Sequence, residues 1–272
     1  MAMKEWVLVT GAASGIGAEL CRLFARHGSG LVLVDRDKCG LEKTSAALNS
    51  EFGAQTVSLV YDLSVAEAAE QIYRDLQERG MEIDVLVNNA GFGAFGAFWE
   101  TDLGRDRALV NVNIMAPMLL TKLLLPHMVK RKRGRVLNVG SISGFLASPY
   151  APTYYSSKAW LLSFSQGLAI SLKGSGVSVT IVCPGPTYTG FDWHNATGDN
   201  ALPQRKKYQM EASDVAAQAY RGMRRGTMVV IPGTANKTLV LVGKLLPRKL
   251  ALWLLTLGQV AIARAQEKRE PK

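Results

Sequence analysis

Two adjacent tyrosines and a lysine stand close together in "TYYSSKAW", residues 153–160. Lys158 follows Tyr154 by four residues and Tyr155 by three, so on a helix either phenol shares a face with the ammonium. A free phenol is a poor base at neutral pH, and a neighbouring positive charge lowers its pKa. A shift of about two to three units corresponds to roughly 3–4 kcal/mol. The pattern indicates a proton donor and acceptor, but the spacing does not choose between the tyrosines.

A glycine-rich turn, "TGAASGIG" (10–17), follows an apolar segment and precedes a helical pattern. Its glycines permit a tight turn and let backbone amides approach a pyrophosphate at a helix N-terminus. A plain glycine turn remains an alternative. Asp35 ends the next apolar segment, 18 residues after Gly17, where a carboxylate can bind ribose hydroxyls. The two features together indicate a dinucleotide site.

Short apolar segments alternate with helical patterns along most of the chain. The segments expected to form strands are 6–10, 31–35, 56–62, 84–88, 135–140, 177–183 and 228–232. The segments expected to form helices are 15–28, 38–51, 65–79, 104–130 and 155–173. This alternation predicts an α/β fold with a doubly wound parallel sheet of about seven strands and helices on both faces.

The composition limits the class of protein. With 272 residues, 48% of them hydrophobic, the chain can bury one sizeable core. The net charge of +10 indicates an acidic partner such as a nucleic acid, an anionic membrane or a phosphate-bearing cofactor. The basic run 130–135 follows a helical pattern, at an end where cations are favoured. We expect it to be a solvated turn, with no nucleic-acid partner.

Cysteine and histidine usage indicates neither disulfides nor a metal. The three cysteines are scattered and form no CxxC pair, which predicts a reducing, cytoplasmic compartment. The three histidines, His27, His127 and His194, lack the neighbouring ligands of a zinc site, so we expect no metal.

The C-terminal part of the chain divides from the rest by composition. Residues 236–263 are apolar and basic, and Pro247 with the two following cations cuts them into runs shorter than the roughly 20 residues that span a bilayer. We therefore expect a catalytic domain over 1–235 and a helical extension over 236–272. Three roles of the extension remain as alternatives: an interfacial helix pair, a subunit contact and a lid over the pocket. Peripheral membrane contact through 236–263 is the alternative to packing on protein.

Five motifs carry a family resemblance. In chain order they are "TGAASGIG" (10–17), "NNAG" (88–91), "GSISG" (140–144), "YYSSK" (154–158) and "CPGPT" (183–187). Their order and spacing resemble the single-domain branch of the short-chain dehydrogenase/reductase family, and within it bacterial dehydrogenases and ketoacyl reductases. The resemblance implies a Rossmann-type fold and an NAD(P)-dependent interconversion of a ketone or aldehyde and an alcohol.

The resemblance also implies the catalytic residues. The family pattern Tyr-x-x-x-Lys selects Tyr154 with Lys158, and leaves Tyr155 as a packing residue. The family's serine lies 13 residues before the tyrosine, at Ser141, and its asparagine falls on Asn113. In these roles Tyr154 exchanges the proton, Ser141 steadies the carbonyl oxygen, Lys158 also binds the nicotinamide ribose and Asn113 holds a relay water.

The expected cofactor contacts lie in the glycine turn and after the strands. They are Gly11, Ser14, Gly15, Ile16, Gly17, Asp35, Arg36, Asp62, Leu63, Asn89, Ala90, Gly91, Tyr154, Lys158, Pro184, Gly185, Thr187 and Thr189. A turn or helix cap remains an alternative role for Asp62. Asp35 would repel the 2′-phosphate of NADP, so we expect NAD to be preferred. Binding of NADP through the Arg36 guanidinium remains the alternative.

The substrate side is less determined. The stretch "GFGAFGAFW" (91–99) is either a flexible glycine loop or an aromatic pocket wall. By resemblance, residues near 190–212 form a substrate lid, and Phe191 and Trp193 favour an apolar or aromatic carbonyl substrate. We expect His194 to be a solvated loop residue and the protein to be a homodimer or homotetramer. A catalytically silent dinucleotide-binding protein and a membrane-peripheral interaction protein are the alternative functions.

Overall fold

A computed structural model describes residues 5–189, 193–194, 209–247, 249–250 and 252–253. The strands are β1 (Trp6–Thr10), β2 (Gly30–Asp35), β3 (Thr56–Val60), β4 (Val85–Asn88), β5 (Gly93–Ala94), β6 (Gly134–Val139), β7 (Val177–Val182), β8 (Thr187–Tyr188), β9 (Trp193–His194), β10 (Met210–Glu211) and β11 (Val229–Val230). The helices are α1 (Gly15–Arg26), α2 (Lys38–Phe52), α3 (Ala68–Glu78), α4 (Leu103–Val110), α5 (Ala116–Lys130), α6 (Pro152–Ser171), α7 (Ala212–Arg224) and α8 (Thr234–Leu245).

Seven strands form one parallel sheet in the order β11-β7-β6-β4-β1-β2-β3. The chain builds outward from β1 to β3, then returns to the other side of β1 and builds outward again. This reversal leaves a crevice beyond the carboxyl ends of β1 and β4, the position where ligands bind in open α/β sheets. The predicted doubly wound α/β fold is confirmed, including the edge strand near 228–232.

Helices cover both faces of the sheet because successive strand residues point to opposite sides. In β1, Val7 and Val9 pack on the side of α1, α2 and α7. Leu8 packs on the opposite side, with α3, α5 and the end of α6. Both faces of the strand are therefore buried, which explains why its sequence is apolar throughout.

The helix predicted over 104–130 is interrupted. A π-helical turn, Asn111–Met115, separates α4 from α5, and such turns often occur at functional sites. Among the residues that the structure describes, the stretch Leu103–Lys130 is the one helix long and apolar enough to cross a membrane by length and composition. It carries the buried Asn113 at its π-turn, and its α5 part packs against the sheet.

The sequence analysis did not identify α7. Its buried side chains repeat with helical period and face α1, where Tyr220 meets Phe24 edge-on with ring centroids 5.1 Å apart. The prediction also started α6 too late. Pro152 occupies the first turn of this helix, a position that its fixed φ favours, and Tyr154 therefore lies in that first turn.

Two arginines of the basic run after α5 form ion pairs with a carboxylate of the same chain. Arg133 lies 2.7 Å and Arg131 3.8 Å from the same carboxylate oxygen of Asp84. The Arg131 guanidinium also donates to the carbonyl of Ile83 at 2.9 Å. These cations join the end of α5 to the start of β4.

Candidate active site

Four predicted catalytic side chains meet at the carboxyl edge of the sheet. Ser141 comes directly after β6, Asn113 lies on the π-turn, and Tyr154 and Lys158 occupy the first two turns of α6. The side chain of Tyr154 forms a hydrogen bond with Ser141. Residues far apart in sequence therefore come together as the motifs predicted.

Local backbone structure orients Ser141. Its side chain caps a short 3₁₀ helix, Ile142–Phe145, by accepting a hydrogen bond from the Ser143 amide at 3.0 Å. The Ser141 hydroxyl also lies 3.1 Å from the hydroxyl of Ser143. Ser143 had no predicted role. Its position two residues after the motif serine is the sequence signal that could have identified it.

Lys158 is almost completely buried, with 3% of its surface exposed. Its Nζ donates to the carbonyl of Val139 at 3.1 Å and lies 5.8 Å from the centre of the Tyr154 ring. The predicted shared helix face is therefore present. Burial lowers the pKa of Lys158 to about 8, because removal from water disfavours the charged form.

Asn113 is held by three hydrogen bonds. Its Nδ2 donates to the carbonyl of Phe92 and to Ser157 Oγ, each at 3.0 Å, and its Oδ1 accepts from the Phe92 amide at 3.2 Å. Gly91 fits between this side chain and the lysine. A Cβ at Gly91 would lie 3.1 Å from Asn113 Oδ1 and 3.2 Å from Lys158 Nζ, so a small residue is required there.

The pKa of Tyr154 bears on one expectation from the sequence. Lys158 and a positive nicotinamide ring together were expected to lower it. In the protein alone, burial raises the pKa of Tyr154 above its ordinary value of 10, and the hydrogen bond with Ser141 offsets only part of that rise. The reason is desolvation: 5% of the tyrosine is exposed, and a buried phenolate loses its hydration. The protein alone therefore favours the neutral phenol.

The lowered pKa of Lys158 predicts a pH-dependent stability. Its native value is about 8, below the ordinary 10.5. Between these values the unfolded chain binds a proton that the native state has lost, so stability rises with pH. Relative to Lys158→Met, we expect the wild-type free energy of unfolding to rise by up to about 3 kcal/mol from about pH 7 to about pH 10.5. Urea titrations of both proteins measure this difference, and a constant difference would contradict the lowered pKa.

The glycine turn between β1 and α1 has the shape that a pyrophosphate requires. Gly11 and Gly15 have positive φ angles of 67° and 54°, which glycine adopts without strain. A Cβ at Gly17 would lie 2.0 Å from the Gly11 carbonyl oxygen. The N-cap residue Ser14 is exposed and makes no side-chain cap hydrogen bond. The first turn of α1 can therefore receive an anion.

Neighbouring motifs fix this turn in place. Asn89 Nδ2 donates to the carbonyls of Thr10 and Gly11 at 2.9 and 3.0 Å. Thr189 lies against Gly15, where an added Cβ would be 3.0 Å from the threonine Cβ. The Asn89 and Thr189 motifs thus reach the glycine turn, although they lie far from it in sequence.

Asp35 stands at the end of β2 beside the same turn. Its two carboxylate oxygens accept hydrogen bonds from the amides of Ala13 and Asp37, each at 3.1 Å. Arg36 is exposed. Asp62 accepts from the Ser64 amide at 2.9 Å, so its turn-forming role is observed, while Leu63 beside it is buried.

The remaining predicted contacts lie along the same edge. Ala90 and Gly91 follow β4, and Ile16 packs from α1 onto the core. The Pro184 carbonyl accepts from the Ile142 amide at 2.9 Å, and Thr187 Oγ1 donates to the Gly185 carbonyl at 2.9 Å. The hydrogen bond between Pro184 and Ile142 joins the segment after β7 to the loop that carries Ser141.

Aromatic side chains line the site beside Tyr154. Phe95 stacks on Tyr150 with ring centroids 5.5 Å apart, and Tyr155 meets Tyr154 edge-on at 6.0 Å. Phe98 and Trp99 are exposed, at 59% and 85%. The first half of the stretch 91–99 is therefore a packed aromatic wall, and its second half is exposed.

The predicted lid is described only in part. The backbone of β9 pairs with β5, so Trp193 and His194 run beside Gly93 and Ala94. Residues 190–192 and 195–208, including Phe191, lie outside the described residues. In the described part of the chain, no group of three His, Cys, Asp or Glu side chains could hold a metal ion.

Comparisons with known proteins agree with this geometry. The family described as short chain dehydrogenase matches residues 5–200. Ketoacyl reductase HetN of Nostoc sp. is 34% identical over 179 residues, which cover 66% of this chain and 62% of that protein. The chain thus spans less than two thirds of the length of that relative.

Solved structures extend the similarity over more of the chain. A short-chain dehydrogenase from Sphingobium yanoikuyae in complex with NADPH is 34% identical, with a TM-score of 0.77 over 88% of this chain and 93% of that one. A bulky-bulky ketone specific alcohol dehydrogenase from Comamonas testosteroni is 28% identical, with a TM-score of 0.74 over 98% and 95% of the two chains. Sequence, fold and site agree, and the chain belongs to the short-chain dehydrogenase/reductase family.

Proposed function

We propose that the protein is an NAD(P)-dependent oxidoreductase that interconverts a ketone or aldehyde with an alcohol, on an apolar or aromatic substrate. The observation that supports this most strongly is the hydrogen-bonded pair of Tyr154 and Ser141 above a buried Lys158. Tyr154 packs with the aromatic wall, and the segment 89–91 connects Lys158 to the glycine turn. An acid, a carbonyl-binding hydroxyl and a dinucleotide site are what carbonyl reduction needs.

The residues proposed to bind the cofactor lie along the carboxyl edge of the sheet. Amides of the glycine turn, from Gly11 to Gly17, would hold the pyrophosphate, and Asp35 the adenosine ribose. Lys158 would bind the nicotinamide ribose. The other residues proposed to contact the cofactor are Arg36, Asp62, Leu63, Asn89, Ala90, Gly91, Tyr154, Pro184, Gly185, Thr187 and Thr189. When bound, the nicotinamide supplies or takes up the hydride.

The residues of the chain would handle the proton and the carbonyl oxygen. Ser141 would donate to the substrate oxygen and stabilise its developing charge. Tyr154, kept neutral by burial, would donate its proton to that oxygen in the reductive direction. Lys158 is positive below its pKa of about 8 and would stabilise the phenolate left behind. Asn113 would hold a relay water near the lysine.

Cofactor preference should follow the Asp35 carboxylate. Its oxygens retain lone pairs for ribose hydroxyls beyond the two amide bonds, while its charge opposes a 2′-phosphate. We expect NAD to be preferred about tenfold or more, roughly 1.4 kcal/mol. Asp35→Ala should erode or reverse that preference. Dissociation constants for both cofactors, measured on wild type and variant, give the ratio.

Asp35→Asn is the matched control for this prediction. It keeps the size and an oxygen acceptor but removes the charge, so it should also weaken the NAD preference. Damage to the turn would weaken the binding of both cofactors alike and leave the ratio of their dissociation constants unchanged. A wild-type preference for NADP would contradict the prediction and assign the deciding role to Arg36.

A panel of ketones and alcohols with both cofactors tests the proposed function. Absorbance of the reduced nicotinamide reports turnover, and we expect apolar or aromatic ketones to be the better substrates. Cofactor binding without turnover on any member would instead favour a silent dinucleotide-binding protein.

Three further expectations stay predictions. They are the division into a domain over 1–235 and an extension over 236–272, the cytoplasmic location, and the homodimeric or homotetrameric state. A sizing column tests the last of these.

A further inference from the structure

Helix α8 exposes a broad apolar face. Leu239, Leu241, Val242 and Leu245 are 47%, 58%, 46% and 76% exposed, while Val240 is 3% exposed. At about 100° per residue the four exposed residues cover an arc of roughly 160°, and Val240 falls outside it. These four residues form one contiguous apolar surface, called here the α8 face. Single exposed apolar residues are common on proteins, whereas a contiguous apolar surface indicates a binding site.

The charges around the α8 face favour one kind of partner. From Thr234 to Leu250 the sequence contains three Lys and one Arg, but neither Asp nor Glu. Lys237, in the first half of α8, and Lys249, after its C-terminal end, are exposed. A second copy docking through the same face would bring like charges together. Anionic lipid headgroups would complement these cations.

The α8 face is close to the catalytic loop. Lys244 Nζ lies 4.8 Å from the centre of the Phe145 ring, and a Cβ at Gly243 would lie 3.5 Å from Leu146. Phe145 ends the 3₁₀ helix that Ser141 caps. At the start of α8, Asn236 packs onto Gly185. One helix therefore separates the exposed leucines from the loops that carry the site.

We propose that the α8 face docks the protein on an anionic lipid bilayer, from which an apolar ketone enters the active site. The leucines would lie at the boundary between headgroups and acyl chains, with the flanking lysines at the headgroups. The docking step stands on the exposed residues and charges of α8. The substrate route rests in addition on the proposed function.

Flotation of the full chain with vesicles tests the docking step. We expect binding to phosphatidylcholine vesicles that contain phosphatidylglycerol, and at least about tenfold weaker binding to phosphatidylcholine alone. The double variant L241E/L245E should weaken binding at least about tenfold, because it places charges where acyl chains would lie. Leu103→Glu is the matched control, since Leu103 is 65% exposed at the start of α4, and its binding should equal that of the wild type.

Two lysine variants test the contribution of positive charge to vesicle binding. Lys237→Gln and Lys249→Gln should each weaken binding to the anionic vesicles roughly fivefold and reduce its salt dependence. Unchanged binding in L241E/L245E would overturn docking through this face. A smaller particle size of L241E/L245E on a sizing column, in the absence of vesicles, would also overturn it, because a second copy would then cover the face.

Turnover tests the substrate route separately. With an apolar ketone dissolved in the vesicles, L241E/L245E should lose most of the wild-type rate, whereas a short water-soluble ketone should be turned over at the wild-type rate. Equal loss with both ketones would overturn the route. If the wild type turned over neither ketone, the proposed function would fail, while the flotation result would still decide the docking step.

Discussion

Tyr154→Phe is expected to lower kcat by on the order of a thousandfold, the range of a lost general acid. The substitution removes the hydroxyl that bonds Ser141 and keeps the ring that packs in the aromatic wall. Cofactor affinity should stay within a few-fold of the wild type, because the phenyl ring still fills the same space. Steady-state kinetics and a fluorescence titration of the reduced cofactor measure the two effects.

Tyr155→Phe is the matched control for this experiment. Its ring packs edge-on against Tyr154, and loss of its hydroxyl should leave most of the activity in place. The Ser141 partner singles out Tyr154, since helix spacing alone would permit either phenol. An inactive Tyr155→Phe together with an active Tyr154→Phe would reverse the assignment.

Gly17→Ala is expected to weaken binding of both NAD and NADP by at least about a hundredfold, more than 2.7 kcal/mol. Its Cβ would lie 2.0 Å from the Gly11 carbonyl oxygen and 2.5 Å from Asn89 Nδ2, so the turn must separate from the start of α1. The amides proposed to hold the pyrophosphate would then no longer point to one place. Titration with each reduced cofactor measures the loss.

Gly167→Ala is the control for Gly17→Ala, because an added Cβ at Gly167 makes no steric contact. A Cβ there has no neighbour within 4 Å, and Gly167 lies inside α6. We expect unchanged cofactor binding and a gain in stability of about 0.5–1 kcal/mol. Thermal unfolding of both variants separates a folding defect from a binding defect. A folded Gly17→Ala protein with wild-type cofactor affinity would show that the turn does not hold the pyrophosphate.

Much of the architecture could be predicted from the sequence because its causes are local. Apolar runs such as "WVLVT" (6–10) mark strands buried on both faces, and the glycine spacing of 10–17 marks a turn with positive φ angles. The order of the five motifs supplied the pairing of Tyr154 with Lys158 through family resemblance. The apolar residues of α7 repeat with helical period, so the sequence alone also predicts this helix.

Other features depended on tertiary contacts between residues far apart in sequence. The π-turn at Asn113 could not be predicted, because the apolar pattern continues across it. The rise of the Tyr154 pKa in the protein alone was not predicted, since it depends on how completely the fold removes the phenol from water. The exposure of Leu241 and Leu245 likewise follows from where α8 packs. Strand and turn preferences act over a few neighbouring residues, whereas burial and distance are properties of the packed chain.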